Sequence, residues 1–411
     1  MTATDSIVVP PPHAASIPAA DGAAPPRARF GFVLAVVAQI LMMVAASAPS
    51  PFYPVLAQQI GFDAGMISAV FAVYAIALLL TLLTAGSLSD HIGRRPVAIA
   101  GFALLAVSTA LFWHADAVAV LLLARIAQGI ASGLLIAALS ATVLDFAPRA
   151  RVAALWNSLS PGIGLAAGAL LSGILLDVTA DALVDVFASL TAVYAIVAVL
   201  LFFLPETAPR RPGALASLSF RVSIPAGIRS DFWRAAPAVI AGWATGGLFL
   251  SLGANIVRSE LGGTAHLWQG LAVAVLTGTG AITAFAVRRR SPRTSVIFGT
   301  AALAIGTTLS LLALMMGSLP FYLAATTVTG MGFGTTFSGV VASLAPRIPA
   351  DERADTFAAI YLLAYLAFGA PTVIAGMLVG AVGLGPVCVG YGVGVIVLAV
   401  TALVLRVRRR A

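Results

Sequence analysis

The residue types that could do chemistry are densest in one short segment, Gly86 to Arg95. Asp90 can accept hydrogen bonds from a helix N-terminus, and Arg94 and Arg95 can pair with carboxylates. Gly86 and Gly93 permit close packing and a tight turn. This combination predicts breakable ion pairs, as in a gate. A solvated turn is the alternative, but it would account for the two arginines and not for the spaced glycines and aspartate.

A second polar group lies inside an apolar segment, where Arg125 and Gln128 are followed by Gly129 and Gly133. An arginine within a membrane span costs a few kcal/mol and tends to face water or the bundle interior. Gln128 lies on the same helical face, so both side chains could donate to a substrate or a proton relay. The alternative is that Arg125 extends to the membrane surface. Gly129 and Gly133 predict close helix packing.

Further polar and aromatic side chains inside apolar segments are candidates for a substrate path, although each could instead be packed. They are Gln39, Tyr74, Asn157, Trp243, Asn255, Gln269, Thr335, Tyr361 and Tyr365. Apart from Arg125, no ionisable residue lies near the middle of a predicted span. We therefore expect a mostly apolar, uncharged cavity that suits neutral or lipophilic substrates. Proton coupling stays open, since the candidate carboxylates lie near span edges: Asp63, Asp90, Asp145 and Glu260.

Several classes of chemistry are disfavoured by residue usage. All 23 basic residues are arginine, so the lysine of a phosphate-binding loop and any Schiff-base lysine are missing. Cys388 is the one cysteine, and the four histidines share no helical pairing, so we expect no metal and no cofactor. The acids Asp177, Asp181 and Asp185 cluster, but they are interpreted as a solvated linker rather than an enzyme site.

These residues must be positioned by membrane helices. The chain has 411 residues, of which 60% are hydrophobic and 9% charged, and a mean hydropathy of +1.04. Such a composition requires lipid as the solvent, and an all-α protein satisfies its backbone there. Twelve spans are predicted, at 30–50, 64–87, 96–114, 118–143, 151–176, 184–204, 235–256, 266–287, 295–316, 319–344, 354–380 and 385–405.

The arginines lie almost entirely on one side of these spans. Examples are Arg94, Arg149, Arg211, Arg288 and Arg347, whereas the other side offers only Arg258 among several acids. The positive-inside rule therefore places both termini in the cytoplasm. Residues 1–29 are rich in proline and alanine and predict a disordered cytoplasmic tail, and residues 406–411 form a basic cytoplasmic tail.

The spans divide into two halves at the longest polar connection, which is predicted as a cytoplasmic linker at 205–234. The first bundle is 30–204 and the second is 235–405. Short segments recur at a nearly constant offset, among them Leu165–Ala169 with Leu366–Ala370 and Gly129-x-x-x-Gly133 with Gly330-x-x-x-Gly334. Two repeated six-helix halves are typical of a transporter with its substrate site between them.

The Gly86–Arg95 segment resembles the G-x-L-x-D-x-x-G-R-R signature of the major facilitator superfamily at every key position, and Arg125 to Gly129 resembles its R-x-x-Q-G pattern. The resemblance implies that Asp90 meets the start of span eleven, near Ala354 to Phe357, and that Asp145 pairs with Arg94. Span five is similar to the Gly/Pro-rich fifth helix of the family's antiporters, but it lacks the usual Gly-Pro pair. Its glycines include Gly164 and Gly168.

The predicted function is secondary active transport by alternating access, and export by antiport is favoured. Within the family, the chain resembles the drug-efflux branch. An uptake carrier or uniporter of the same fold is the alternative, and a membrane-embedded lipid-modifying enzyme is the alternative of another class. The expected partners are a neutral or lipophilic small molecule and membrane lipid, without nucleic acid. We expect a monomer in a bacterial-type inner membrane.

Overall fold

The structure is a computed structural model that describes residues 26–218, 220, 222–349 and 352–407. Its first six long helices are α1 (Pro26–Ser47), α2 (Ala64–Ala85), α3 (Arg94–Trp113), α4 (Val118–Phe146), α5 (Ala150–Val178) and α6 (Ala182–Leu201). The other six are α7 (Arg229–Ser251), α8 (His266–Val287), α9 (Pro292–Met315), α10 (Leu319–Leu344), α11 (Arg353–Val382) and α12 (Leu384–Val407). Within the described residues, eleven helices are long and apolar enough to cross a membrane, and α7 becomes the twelfth span together with its bent continuation. The predicted all-helical membrane fold is confirmed.

The first span differs from its prediction at both ends. Helix α1 begins at Pro26, so residues 26–29 are helical rather than part of a tail, in keeping with the preference of proline for the first helical turn. It ends at Ser47, before Pro49 and Pro51, which lack the N–H that a helix interior needs. A 3₁₀ turn, Ser50–Phe52, and a short helix, Tyr53–Ile60, continue the span. The predicted disorder of residues 1–25 lies outside the described part of the chain.

The seventh span begins six residues before its predicted start at 235, so residues 229–234 of the predicted linker are helical. Its first turns carry Arg229, Asp231 and Arg234, and hydropathy alone cannot assign such polar turns to a helix. The chain then bends by 63° between Ser251 and Gly253 and continues to Glu260, ending in a π-helical segment.

The helices pack in two groups that meet along two seams. Helix α1 lies against α4 and α5, and α7 lies against α10, α11 and α12. Between the groups, α2 packs on α11 and α5 packs on α8. We call the face at which α1 begins and α12 ends the basic face, because its loops carry Arg94, Arg149, Arg211 and Arg288. The other end is called the opposite face.

Four glycines that were predicted for packing lie where helices approach closely. A Cβ atom built on Gly129 or Gly133 would lie 2.7 Å from a Cβ atom of α2, and one on Gly164 would lie 2.5 Å from a Cβ atom of α1. A Cβ atom on Gly168 would lie 3.0 Å from a Cα atom of α1. Any side chain at these positions would separate the backbones, so glycine sets the distances from α4 to α2 and from α5 to α1.

Candidate functional site

The Arg94 side chain is the centre of a charged cluster at the basic face. Its guanidinium pairs with Asp90 one turn earlier, and its Nε atom lies 3.5 Å from a carboxylate oxygen of Asp145 at the end of α4. It also donates to the hydroxyl of Ser89 at 3.0 Å. The Arg94 side chain is 18% exposed, so these interactions are partly shielded from water. The pairing of Arg94 with Asp145 that the resemblance implied is therefore present.

Glu206 is a member of this cluster that the sequence did not reveal. Its carboxylate accepts from the backbone N–H groups of Arg94 at 2.8 Å and Arg95 at 3.1 Å, which are unpartnered donors at the start of α3. Gly93 has a φ of 109°, and a Cβ atom there would lie 2.8 Å from the Glu206 carboxyl carbon. Glycine is thus required for the carboxylate to reach the helix end.

Two further contacts extend the cluster to the end of α6. Arg95 donates to the carbonyl of Leu204 at 3.2 Å, and Thr207 donates its hydroxyl to Asp145 at 2.6 Å. The ends of α4 and α6 are thereby joined to the turn between α2 and α3. All of these elements belong to the first six helices, so the cluster consolidates one half of the molecule.

The contact of Asp90 with the start of α11 that the resemblance implied is not among the described hydrogen bonds and ion pairs. The Asp90 side chain is 51% exposed and bound to Arg94, and among the described residues it makes no hydrogen bond to that helix. Arg94 lies one turn away and neutralises the carboxylate locally, which removes the need for a helix end as partner. One described contact that links the start of α11 to the preceding linker is the N–H of Ser223, which donates to the carbonyl of Asp355 at 3.4 Å.

The second half has its own ion pair at the basic face. Arg347, just after α10, pairs with Asp231 in the first turn of α7. The loop after α8 occupies the place of the turn between α2 and α3, but it carries arginines and no acid. The second half therefore uses an interaction between α7 and the end of α10 rather than a copy of the Arg94 cluster.

Arg125 and Gln128 are both buried in the interior of the first bundle, which is one of the two positions expected for an arginine within a span. Arg125 is 1% exposed and donates to Gln128 and to the hydroxyl of Tyr53, and Gln128 in turn donates to the carbonyl of Ala45. The guanidinium lies 5.3 to 5.4 Å from the ring centres of Tyr53, Tyr74 and Phe112. Arg125 does not extend to the surface, and within the described residues no carboxylate pairs with it.

Four of the predicted path residues meet in an aromatic cluster between the halves. Trp243 of α7 lies 4.8 Å from Tyr365 of α11, and Tyr361 lies 6.5 Å from Tyr365, measured between ring centres. Tyr74 of α2 belongs to the same buried cluster. Trp243 and Tyr361 are partly exposed, whereas Tyr74 and Tyr365 are buried. These rings form an uncharged aromatic surface where the two halves meet.

The remaining polar candidates are dispersed. Gln39 and Asn157 both bind Ser140 of α4. Asn255 lies in the bent continuation of α7, and Thr335 donates to the carbonyl of Met331 in its own helix. Gln269 is buried near the start of α8 with no hydrogen-bond partner for either amide atom.

At the opposite face, Asp177 binds the start of α8. Its carboxylate accepts from the backbone N–H groups of His266 at 2.9 Å and Leu267 at 2.8 Å, and it lies 2.9 Å from the His266 ring nitrogen Nδ1. The prediction of a solvated linker was wrong for Asp177, because the carboxylate satisfies the free donors of a helix N-terminus 89 residues away in the chain.

Other contacts also join the halves at the opposite face. The Ser50 hydroxyl donates to the carbonyl of Leu250 at 2.8 Å, and a Cβ atom on Gly376 of α11 would lie 2.5 Å from Cβ of Ser68 in α2. The backbones of α2 and α11 therefore approach each other closely there. Among the described residues, no cluster of histidine, cysteine and acidic side chains could hold a metal ion.

The family model described as Major Facilitator Superfamily matches residues 35–370. The chain therefore belongs to this superfamily of secondary transporters, which confirms the resemblance read from the Gly86–Arg95 segment. It is a multi-pass membrane protein of a transporter family, and not a member of an enzyme family.

Relatives that carry the name multidrug resistance protein MdtL match part of this chain. The one from Klebsiella pneumoniae subsp. pneumoniae is 32% identical over 163 residues, which are 39% of this chain and 41% of the relative. The one from Shewanella oneidensis is 34% identical over 110 residues, which are 26% of this chain and 28% of the relative. The matched segments thus span less than half the length of either relative.

Solved structures of transporters share the fold over nearly the whole chain. The nucleoside transporter NupG has a TM-score of 0.68 at 12% identity and covers 91% of this chain and 99% of its own. The human organic anion transporter MFSD10 has a TM-score of 0.67 at 18% identity, over 92% of this chain and 100% of its own. Identities this low show the fold alone.

Proposed function

We propose that this chain is a secondary active transporter that exports a neutral or lipophilic small molecule by alternating access. The proposal rests on the position of the polar contacts between the two halves, 30–204 and 235–405. At the opposite face Asp177 binds α8 and Ser50 binds Leu250, whereas the Arg94 cluster at the basic face joins the first half to Glu206 and Thr207, directly after it. A carrier closed at one face by a few breakable contacts is suited to rocking between two states.

The arginine asymmetry supports an orientation in which the basic face and both termini are cytoplasmic. The proposed location is the inner membrane of a bacterium, with the chain acting as a monomer. In this orientation the described contacts close the external side. The names of the MdtL relatives support export of drug-like molecules, and the uncharged aromatic cluster around Trp243 and Tyr365 supports a neutral or lipophilic substrate.

Antiport against protons is the proposed energy source, without any bound cofactor. Asp63 is held as the N-cap of α2, where it accepts from the N–H of Met66 at 2.8 Å. Asp90 and Asp145 both bind Arg94, so a proton on either would weaken the cluster that consolidates the first half. This gives the two aspartates a way to link proton exchange to the conformation of the basic face.

The proposal is tested by efflux of the uncharged dye Nile red from an efflux-deficient bacterial host. Cells that express the chain are loaded without an energy source and then given glucose. We expect dye to leave faster than from cells with an empty vector, and a protonophore to abolish the difference. We also expect Arg94→Ala to slow efflux several-fold, because the turn between α2 and α3 loses its attachment to the end of α4 and the first half no longer moves as a unit.

Arg289→Ala is the matched control, since Arg289 is exposed in the loop after α8. Energy-independent release would favour a uniporter, and faster accumulation of dye would favour uptake. Equal efflux with and without the chain would contradict the proposal.

A further inference from the structure

Three polar side chains from three helices meet in the half of the first bundle that is nearer the basic face. The amide nitrogen of Asn157, in α5, donates to the backbone carbonyl of Ser140 in α4 at 3.1 Å. The amide nitrogen of Gln39, in α1, donates to the Ser140 hydroxyl at 3.4 Å. The amide oxygens of Gln39 and Asn157 are both buried and neither has a hydrogen-bond partner.

The orientation of the Asn157 amide follows from its partner. A backbone carbonyl can only accept, so the NH₂ group of Asn157 must face Ser140, and the Oδ1 atom must point elsewhere. Rotating the amide by half a turn would set two oxygens against each other. Asn157 therefore presents a carbonyl oxygen that lacks a donor, and a buried acceptor without a donor is unfavourable until something binds it.

The position of these groups is compatible with a ligand that enters from the basic face. Ser140 lies about 9 Å from the end of α4 and Asn157 about 10 Å from the start of α5, at 1.5 Å per residue. Gln39 is 3% exposed, whereas Ser140 and Asn157 are partly exposed. One turn beyond Asn157, the buried hydroxyl of Ser160 also has no partner.

The placement of the carboxylates in the described parts of these helices disfavours a cationic partner. In the described residues of α1, α4 and α5, the carboxylates are Asp145 and Asp177, and they are bound to Arg94 and to the start of α8 at the two ends of the bundle. An ammonium group at Asn157 would thus be buried without a counter-ion, which is unfavourable within a membrane. Uncharged N–H and O–H groups carry no such penalty.

We propose that Gln39, Ser140 and Asn157 form a subsite that accepts hydrogen bonds from an uncharged amine, amide or hydroxyl group of the transported molecule. The inference rests on the proposed function and deepens it. It adds a polar criterion to the selection of lipophilic molecules, because a ligand that lacks a donor leaves the two amide oxygens unpartnered.

The test uses two uncharged coumarins of similar shape. 7-Amino-4-methylcoumarin carries N–H donors, and 7-dimethylamino-4-methylcoumarin carries none. Their affinities for the purified full chain are measured by equilibrium dialysis in detergent. We expect the wild-type protein to bind the donor-bearing probe about threefold to tenfold more tightly, the range that one hydrogen bond supplies.

The variants Asn157→Leu and Gln39→Leu are expected to abolish this preference while the dimethylamino probe binds as before, which also shows that each variant is folded. Thr401→Val is the control, because Thr401 is exposed on α12 and its hydroxyl already donates to Val397. Equal binding of both probes to the wild type, no binding of either, or an equal loss of both in Asn157→Leu would overturn the subsite.

Efflux of Nile red separates this inference from the proposed function, because Nile red has no N–H or O–H donor. Thr401→Val, which lies outside the subsite, should export Nile red at the wild-type rate. If the wild type exports Nile red but binds both coumarins equally, the subsite fails while the transport proposal stands. If the wild type binds the coumarins selectively but exports no Nile red, the transport proposal fails while the subsite stands.

Discussion

Arg125 shows how a single buried charge is accommodated in this membrane protein. Its guanidinium lies among residues of α2, α3, α4 and the short helix Tyr53–Ile60. There it contacts a hydroxyl, an amide oxygen and three aromatic rings. Hydrogen bonds and ring faces compensate part of the desolvation. The sequence could predict that Arg125 faces inward. It could not predict Tyr53 as partner, because 72 residues separate the two and only the fold brings them together.

We expect Arg125→Met to impair efflux with little effect on stability. The change removes a buried charge that costs a few kcal/mol, and it leaves Tyr53 and Gln128 without a donor at about 1–3 kcal/mol each, so the two effects nearly cancel. Nile red efflux should fall about tenfold, because the guanidinium fixes groups from several helices. Thermal unfolding in detergent and efflux at matched membrane levels measure the two quantities.

Arg289→Ala again serves as the control for Arg125. If Arg125→Met exports dye at the control rate, the arginine has no role in transport. If stability and efflux fall together, its role is structural only.

At the scale of elements, the best-defined interaction is the cap that Glu206 forms on the N-terminus of α3. Glu206 follows α6 and accepts hydrogen bonds from the first N–H groups of α3, so one carboxylate joins two helix ends that are adjacent in space. Glu206 and Arg94 are 112 residues apart in the chain. The Gly93 conformation makes room for it. The segment Pro205 to Thr207 was predicted to be part of a polar linker, because nothing in its composition indicates which helix it caps.

We expect Glu206→Ala to lower the free energy of unfolding by about 1–2 kcal/mol, the range of a lost helix cap with its dipole interaction. Asp181→Ala is a matched control, because Asp181 also precedes a helix but its side chain makes no capping hydrogen bond. Thermal denaturation of both variants in the same detergent gives the comparison. A Glu206 variant as stable as the Asp181 variant would show that the cap is dispensable.

The twelve helices themselves were largely predictable, because runs of about 20 apolar residues identify membrane spans whatever their partners. The exceptions have local causes. Prolines stop α1 early, and polar residues conceal the first turns of α7. Interactions between helices were far less predictable: Asp177 and His266 carry no sequence signal for each other, and the Asp90 contact with span eleven that the resemblance implied is not present in the described structure.

For the whole molecule, the arrangement predicts that the halves move as units. Contacts within the first half, such as the paired hydroxyls of Thr109 and Thr191 in α3 and α6, should persist in every state. Contacts between Asp177 and the start of α8 must break when the opposite face opens. Crosslinking each kind of contact and then measuring transport therefore distinguishes contacts within a half from contacts between the halves.

The most direct test of alternating access is Nile red efflux after disulfide locking, in chains that carry Cys388→Ser. One variant has the pair Asp177→Cys and His266→Cys, which joins the halves at the opposite face. The control has Thr109→Cys and Thr191→Cys, whose side chains meet at 2.9 Å within the first half. We predict that oxidation stops efflux in the first variant, that reduction restores it, and that the control exports dye under both conditions. Undiminished efflux through a fully crosslinked Asp177–His266 pair would contradict the account.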